Sequence, residues 1–451
     1  MVKSYKLHKF FGLTAGLVVL ILSITGFFLD HDNWNFLYTT TTKHYPNSIA
    51  GADKRLFTSY KINPDNINNI LVGSKRGLYE SIDGGKTFQN ILPLQINAIK
   101  RADDGRYFLA TSNGIYIKNR NKIQAYLLGG KYINAMSIWG NTLMVVEDKS
   151  IIYEIDLQSN GIERTLQVAI PKRELQQDIK LSRFVRDLHY GRGLFDGDAS
   201  LYINDFGAII LTFLGLSGFL IWYYIYKIKR ATSSRKWIKY HANKVTIVAI
   251  IPVVILAITG IFLDHSHALG KFMKSITIPH AILPPVYDTL EDDIWSIDYD
   301  GKSLRIGNRY GVYKSRDFQH WSLESKGFGY SLTRNNNILY VGGMGAANRM
   351  YDGKWHYLRG APHMFKDVVH DNDKKIFFSS HRTKLPLPHF QDLTLYSLLL
   401  ALHDGSFFAS WWIWVDDYAA AAMVLLFITG IVRWWKKKRV VTIKKEKKLK
   451  I

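Results

Sequence analysis

The sequence predicts an integral membrane protein in which a four-helix bundle, built from two repeated halves, carries an all-β, propeller-like domain of about six blades. Three features predict it: four apolar runs divided by long soluble-looking stretches, an eight-residue phrase that recurs at an offset of 234, and a shorter period of 37 inside the loops. A composition of 47% apolar residues with 14% aromatics excludes a disordered chain.

The apolar runs fall at roughly 10–29, 206–226, 245–263 and 415–435. Each approaches the twenty residues that about 30 Å of hydrocarbon asks of an α-helix. Charge sets their direction. The basic residues concentrate in Lys3, Lys6 and Lys9, in seven Lys or Arg between 227 and 244, and in ten from 433 to 451, where Glu446 is the only acid. Positive charge stays inside, so both termini and the middle connector are expected in the cytoplasm. The formal charge of +22 therefore reads as topology; no nucleic-acid partner is expected, and contact with anionic membrane lipid is.

The first run continues into LDHDNW without a small-residue cleavage site, so it reads as a retained anchor. The loops at about 32–202 and 266–410 then lie outside. With no cysteine in the chain, disulfides, iron–sulfur clusters and thiolate chemistry are excluded. A bacterial inner membrane with periplasmic loops is the simplest home. The expected organisation is a first helix over 1–31, half a propeller over 32–180, an interfacial helix and second span over 181–230, a connector and third span over 231–265, the second half-propeller over 266–392, an interfacial helix and fourth span over 393–435, and a basic cytoplasmic tail over 436–451.

ITGFFLDH at 24–31 returns as ITGIFLDH at 258–265. At the same offset Gly73, Gly77, Tyr79, Ser81 and Asp83 meet Gly307, Gly311, Tyr313, Ser315 and Asp317. LHYG at 188–191 matches LHDG at 402–405; each is followed by an Asp (Asp205, Asp417), a span, a small-residue Gly signature (LSG at 216–218, ITG at 428–430) and a Trp (Trp222, Trp434). Two halves that start on the same side imply a pseudo-two-fold axis along the membrane normal.

Within the loops, GLYES, GIYIK and IIYEI place Tyr79, Tyr116 and Tyr153 at intervals of 37, and GVYKS is followed 38 residues on by RMYDG. Alternating apolar residues broken by Gly turns read as antiparallel strands, and a period near 40 is that of a propeller blade. SIDGGKTF at 81–88 fits the Asp-box pattern, a hairpin turn capped by its Asp, and SRDFQHW at 315–321 is a degraded copy. Three blades per loop are expected.

Six of the fifteen histidines occupy repeat-related positions near the spans: His8 and His241, His31 and His265, His189 and His403. From His8 to His31 is 23 residues, roughly 35 Å of helix, so one helix offers an imidazole at each face of a bilayer. Duplicated imidazoles with small residues beside them suit bis-His haem b, with one to three haems and two favoured. Zinc or copper could use the same residues, though without acidic or thiolate co-ligands. Asp30 and Asp264 are candidates for orienting the neighbouring imidazoles, and Arg183, Arg186 and Arg192 for meeting haem propionates. KLSRFVRDLH and LTLYSLLLALH read as interfacial helices that end in His189 and His403 and stop at a Gly. Trp411, Trp412 and Trp414 read as an interface belt.

The pattern of His8 and Gly12 at the first span, a small-Gly pair near the end of every span, and LH-x-G before the returning helices resembles the PepSY-associated transmembrane helix family. The resemblance covers the spans and their flanks, about a third of the chain. It implies an inner-membrane haem protein that reduces ferric iron or a ferric siderophore in the periplasm, with His8, His189, His241 and His403 at the matching positions. Val245 stands where a Gly is expected, and the loops look like an Asp-box propeller in place of a PepSY fold. His31 and His265 rest on the internal repeat alone.

The first functional expectation is thus a haem-dependent ferric reductase that lacks its own nucleotide or flavin motif and takes electrons from a quinol or a cytoplasmic protein. The second is a non-enzymatic one: a membrane-anchored Asp-box propeller for docking, cofactor assembly or sensing. A hydrolase is a distant third.

Overall fold

The computed structural model describes residues 2–449 apart from Asn121, Asn336, Asn372, Asp373 and His381. Lys450 and Ile451, the end of the expected basic tail, lie outside the described residues. Within them the chain forms a helical layer and a β-rich region in contact with it.

Three helical segments are long and apolar enough to cross a membrane: Ala199–Tyr226, Lys244–Asp264 and Ser410–Lys436. A fourth candidate is a bent pair, α1 (Val2–Thr14) and α2 (Gly16–Leu29), with a 59° break between them. The expected first span is therefore not one straight helix. Two local features weaken it there. Thr14 Oγ1 donates to Phe10 O at 2.9 Å, and a Cβ on Gly16 would sit only 3.2 Å from the Phe219 ring, so the backbone is drawn against the returning helix. The interior of the bundle is built from small residues, with Ala15, Ala257, Ala419 and Ala422 beside Val19, Val253 and Phe427, and their size lets the backbones approach.

The repeat also meets a difference at its third span. His241 does not stand on the spanning helix; it closes a separate helix, α5 (Ala231–His241), that follows α3 (Leu181–His189) and α4 (Ala199–Tyr226). The span restarts beyond it because Asn243 and Thr246 form a reciprocal capping box. It continues as α6 (Ile250–Asp264); α7 (Leu395–His403) and α8 (Ile413–Leu449) complete the second half.

Among the described residues the β ring consists of five four-stranded antiparallel sheets and one two-stranded sheet, with their first strands at Phe57–Asn63, Ile96–Arg101, Ile133–Trp139, Ser296–Tyr299, Gly329–Asn335 and Asp367–Asp371. Each first strand packs on the next, and the last packs on the first, so these strands form a closed ring. Local chemistry sets the strand ends: Gly114, in an Asn-Gly turn, has φ +93 and a Cβ there would strike Leu128 O at 2.6 Å. The Asp box forms as its pattern demands. Asp83 Oδ1 accepts from Lys86 N and Thr87 N, both at 3.0 Å, while its other oxygen accepts from Thr87 Oγ1 at 2.6 Å. These donors hold the Asp83 carboxyl well below the usual carboxylate range. In the degraded copy Asp317 accepts from Gln319 N and His320 N, and Trp321 is buried beneath.

Two short pairings tie the ring to the helices, and each joins opposite halves: Thr41–Thr42 with Leu393–Thr394, and Ile179–Lys180 with Thr277–Ile278. Each continues directly into an LH-x-G helix, α7 or α3. The ring is thus anchored on the same elements that present His403 and His189.

Candidate functional site

Four of the six predicted histidines come together as two pairs. His8 and His241 have ring centroids 6.3 Å apart, and His189 and His403 have theirs 6.2 Å apart. Each pair takes one histidine from each half, and its members are repeat mates. The second pair sits on the side facing the β ring, the first at the far side of the bundle.

All four imidazoles are held in the same way. His403 Nδ1 meets Thr25 Oγ1 at 2.9 Å, His189 Nδ1 meets Thr259 Oγ1 at 3.0 Å, His8 Nδ1 meets Thr429 Oγ1 at 2.9 Å, and His241 Nδ1 meets Ser217 Oγ at 2.7 Å. The hydroxyls decide the tautomer. Each donates its proton to a carbonyl of its own helix (Thr25 to Ile21 O and Thr259 to Ile255 O at 2.7 Å, Thr429 to Leu425 O at 2.8 Å, Ser217 to Leu214 O at 3.3 Å). Its oxygen must then accept from Nδ1–H, which leaves the lone pair on Nε2. Among the described residues no hydrogen-bond partner meets any of these four Nε2 atoms.

A glycine follows each hydroxyl. A Cβ on Gly26 would lie 3.3 Å from His403 Cε1, and one on Gly260, Gly218 or Gly430 would lie 3.5, 3.7 or 3.8 Å from Cε1 of His189, His241 or His8. The small-Gly signature near the end of each of these four helices is therefore a seat for an imidazole: hydroxyl for Nδ1, glycine for the ring edge. Every seat lies in the half opposite its histidine. Sequence reasoning missed Thr25, Ser217, Thr259 and Thr429, although the fourfold [Ser/Thr]-Gly was the signal that could have found them.

Burial acts in the same direction outside the spans. It lowers His189 to about 3, with His403 nearby adding to the effect, lowers His241 to about 4, and lowers His403 as well. All three therefore stay neutral, the form that ligates metal.

His31 and His265 are housed otherwise. His31 Nδ1 donates to Phe27 O at 2.8 Å, its Nε2 lies 3.4 Å from Asp205 Oδ2, and its ring stacks on Trp34. His265 Nε2 donates to Asp417 Oδ2 at 2.6 Å and its ring leans on Trp414. Neither meets another histidine among the described ring contacts. The structure brings neither of these two to a second imidazole; the Nε2 atom of each faces a carboxylate of the next spanning helix in its half, Asp205 or Asp417. Asp30 and Asp264 do not hydrogen-bond an imidazole among the described residues. Asp30 is instead partnered by Asn204, and burial raises it to about 7.

The β-side pair faces a cavity of ≈ 1860 Å³ lined by residues of the ring and of the helices. His31, Asp30 and Asp264 line it, as do Arg186 and Arg192. Arg192 lies over the rings of Tyr190 and Trp295 and, like Arg186, has no carboxylate partner among the described residues. Arg183 is engaged by Asp187 and by Met344 O.

Which group fits the pairs follows from the donor count. Among the described residues no three His, Cys, Asp or Glu side chains converge as a metal site, so tetrahedral zinc is poorly served. A group that supplies its remaining ligands itself, as haem would, asks the chain for only two imidazoles, and each pair offers two, with ring centroids 6.3 Å and 6.2 Å apart.

A family model described as PepSY-associated TM region matches residues 148–437, well over half of the chain. No curated protein matches. Among solved structures, the extracellular domains of the one-component system BT4673 and of the hybrid two-component system BT4673, both from B. thetaiotaomicron, are 13% and 12% identical with TM-scores of 0.34. They cover 73% and 78% of this chain, which spans only about a third of theirs, 31% and 36%. The computationally designed Ika8 protein is 9% identical with a TM-score of 0.33, covering 71% of this chain and 67% of its own. At such scores the likeness assigns no fold.

Proposed function

We propose that this protein, which belongs to the PepSY-associated TM region family, is a b-haem membrane reductase that passes single electrons outward to ferric iron or a ferric siderophore. The β ring reads as a six-bladed propeller in the periplasm, the bent pair counts as the first of four spans of a bacterial inner membrane, and both termini face the cytoplasm. One observation carries the reading: two cross-half imidazole pairs, each with centroids 6.2 to 6.3 Å apart and each with Nε2 left unprotonated by a hydroxyl.

His8 with His241, and His189 with His403, would each hold one haem. A haem held by such a pair would supply one-electron transfer. The chain's own residues do the rest. The [Ser/Thr]-Gly seats fix both imidazoles of a pair, Arg186 and Arg192 offer charge to propionates on the β side, and the cavity above the β-side pair holds the acceptor. Each Fe(III) takes one electron and leaves as Fe(II), the electron coming from a quinol or a cytoplasmic protein.

The test is reduction of external ferric citrate by spheroplasts carrying the full chain, read as a ferrous–ferrozine colour. The expected result is quinol-dependent colour together with a Soret band that shifts on dithionite reduction. A purified protein without haem would overturn the reductase reading in favour of a docking, assembly or sensing platform.

A further inference from the structure

The roof of the cavity is lined by four lysines contributed by four different sheets: Lys75, Lys100, Lys149 and Lys366. None has a carboxylate within ion-pair distance among the described residues. Lys75 Nζ donates to Asn97 Oδ1 at 2.9 Å and Tyr132 OH at 2.6 Å. Lys366 Nζ donates to Phe57 O at 2.7 Å, and Lys149 Nζ lies 4.7 Å over the Trp295 ring. Of the nearby acids, Asp367 is engaged by Lys61 at 2.7 Å and Asp293 by Arg309 at 3.0 Å, which leaves Asp32 and Asp148 to face the group. Asp196, Asp198 and Asp292 line the same cavity and, with Asp148, lie close enough to one another for their charges to interact.

Ammonium groups held inside a protein without an ion-paired carboxylate are costly. Convergence on a cavity this large is the arrangement expected where a ligand brings the negative charge. The aromatic walls, Tyr132, Trp295 and Tyr330, favour flat groups on that ligand.

We propose that the cavity selects polyanionic chelates, those whose trivalent metal is held by catecholate or carboxylate oxygens and that carry net negative charge, over neutral trihydroxamate chelates. The proposal rests on the reductase reading for its metal and on the lysine roof for its selectivity. Gallium(III) separates the two, because it has the charge of Fe(III) and accepts no electron under these conditions.

The experiment measures binding of gallium tris-catecholate, a trianion, and of a neutral gallium trihydroxamate to the full chain in nanodiscs, by tryptophan quenching. The trianion is expected to bind at least about tenfold more tightly, with an affinity that falls as salt rises. Lys75→Gln with Lys149→Gln should weaken the trianion about tenfold and leave the neutral chelate unchanged, which also shows that the variant is folded. Lys149→Arg should restore part of the loss. Equal binding of the two chelates, binding of neither, or indifference to the lysine variants overturns the proposal. Charge-selective gallium binding by a protein that reduces no ferric complex would sustain it and overturn the reductase reading; ferric reduction without charge selectivity would do the reverse.

Discussion

On the β side of the bundle, His189 and His403 line a cavity of ≈ 1860 Å³ roofed by lysines; on the far side, His8 and His241 keep the same hydroxyl and glycine neighbours but do not line it. Their surroundings are a Tyr5–Tyr226 hydroxyl contact at 3.1 Å, Lys9 over the Tyr226 ring and Arg433 over the Tyr5 ring. The seat is therefore independent of its setting. The repeat supplies four seats, and among the described residues the histidines of two of them line the cavity beneath the β region. In the proposed reading the far-side pair receives electrons and the β-side pair releases them.

The sharpest way to break this comparison is to remove one pair at a time. His403→Ala should lower reduction of external ferric citrate by at least about 100-fold while a dithionite-reducible Soret band from the far-side pair persists. His8→Ala should lose the far-side signal and keep the β-side one. Difference spectra on both variants check this.

Removing only the seat is gentler. Thr25→Val takes away the acceptor for His403 Nδ1–H and should weaken haem binding on the β side by about 10–100-fold, while Thr25→Ser keeps it. Thr429→Val should have that effect on the far side alone. Haem titration of the apoprotein distinguishes the two.

The lysine roof gives the β side a pH dependence of its own. Burial, with Lys61 beside it, lowers Lys100 to about 8 against the raising influence of Asp367 and Asp298; burial, with Lys75 nearby, lowers Lys366 to about 8. Both are ammonium ions below that pH and neutral amines above it. Binding of the gallium tris-catecholate trianion should thus be strong at pH 7 and fall about tenfold by pH 9, with the neutral chelate unaffected.

A smaller contrast lies in the glycines. Gly26→Ala would press on His403 at 3.3 Å, whereas Gly430→Ala meets His8 at an ordinary 3.8 Å. The first should cost about 1 kcal/mol or shift the β-side spectrum, and the second should do neither, by thermal unfolding and Soret position. Smallest of all, His31→Ala and His265→Ala should retain full haem content, since both rings serve carboxylates.

What could be read from the chain divides along contact range. Turn glycines, the Asp83 box and the LH-x-G helix ends are local, and a few neighbouring residues specify each. His8, His189, His241 and His403 were legible as a duplicated set. Their seats were not, because His403 and Thr25 stand 378 residues apart and a hydroxyl's partner in the opposite half leaves no mark on its neighbours. For the same reason His31 and His265 looked equivalent to the other four until Asp205 and Asp417 were seen across the adjoining helix. The 59° break near Ala15 lacked a proline to announce it, and it depends on packing of Gly16 against Phe219. The closure of the ring between Phe57–Asn63 and Asp367–Asp371 likewise joins the two ends of the β region.

The central claim is that each imidazole pair holds one haem. Its most direct test is the haem-to-protein ratio by pyridine haemochrome for the full chain, His8→Ala and His403→Ala purified in parallel. Two haems per chain, falling to one in each variant, is the predicted result. A ratio of zero in the full chain, or of two in either variant, would contradict it.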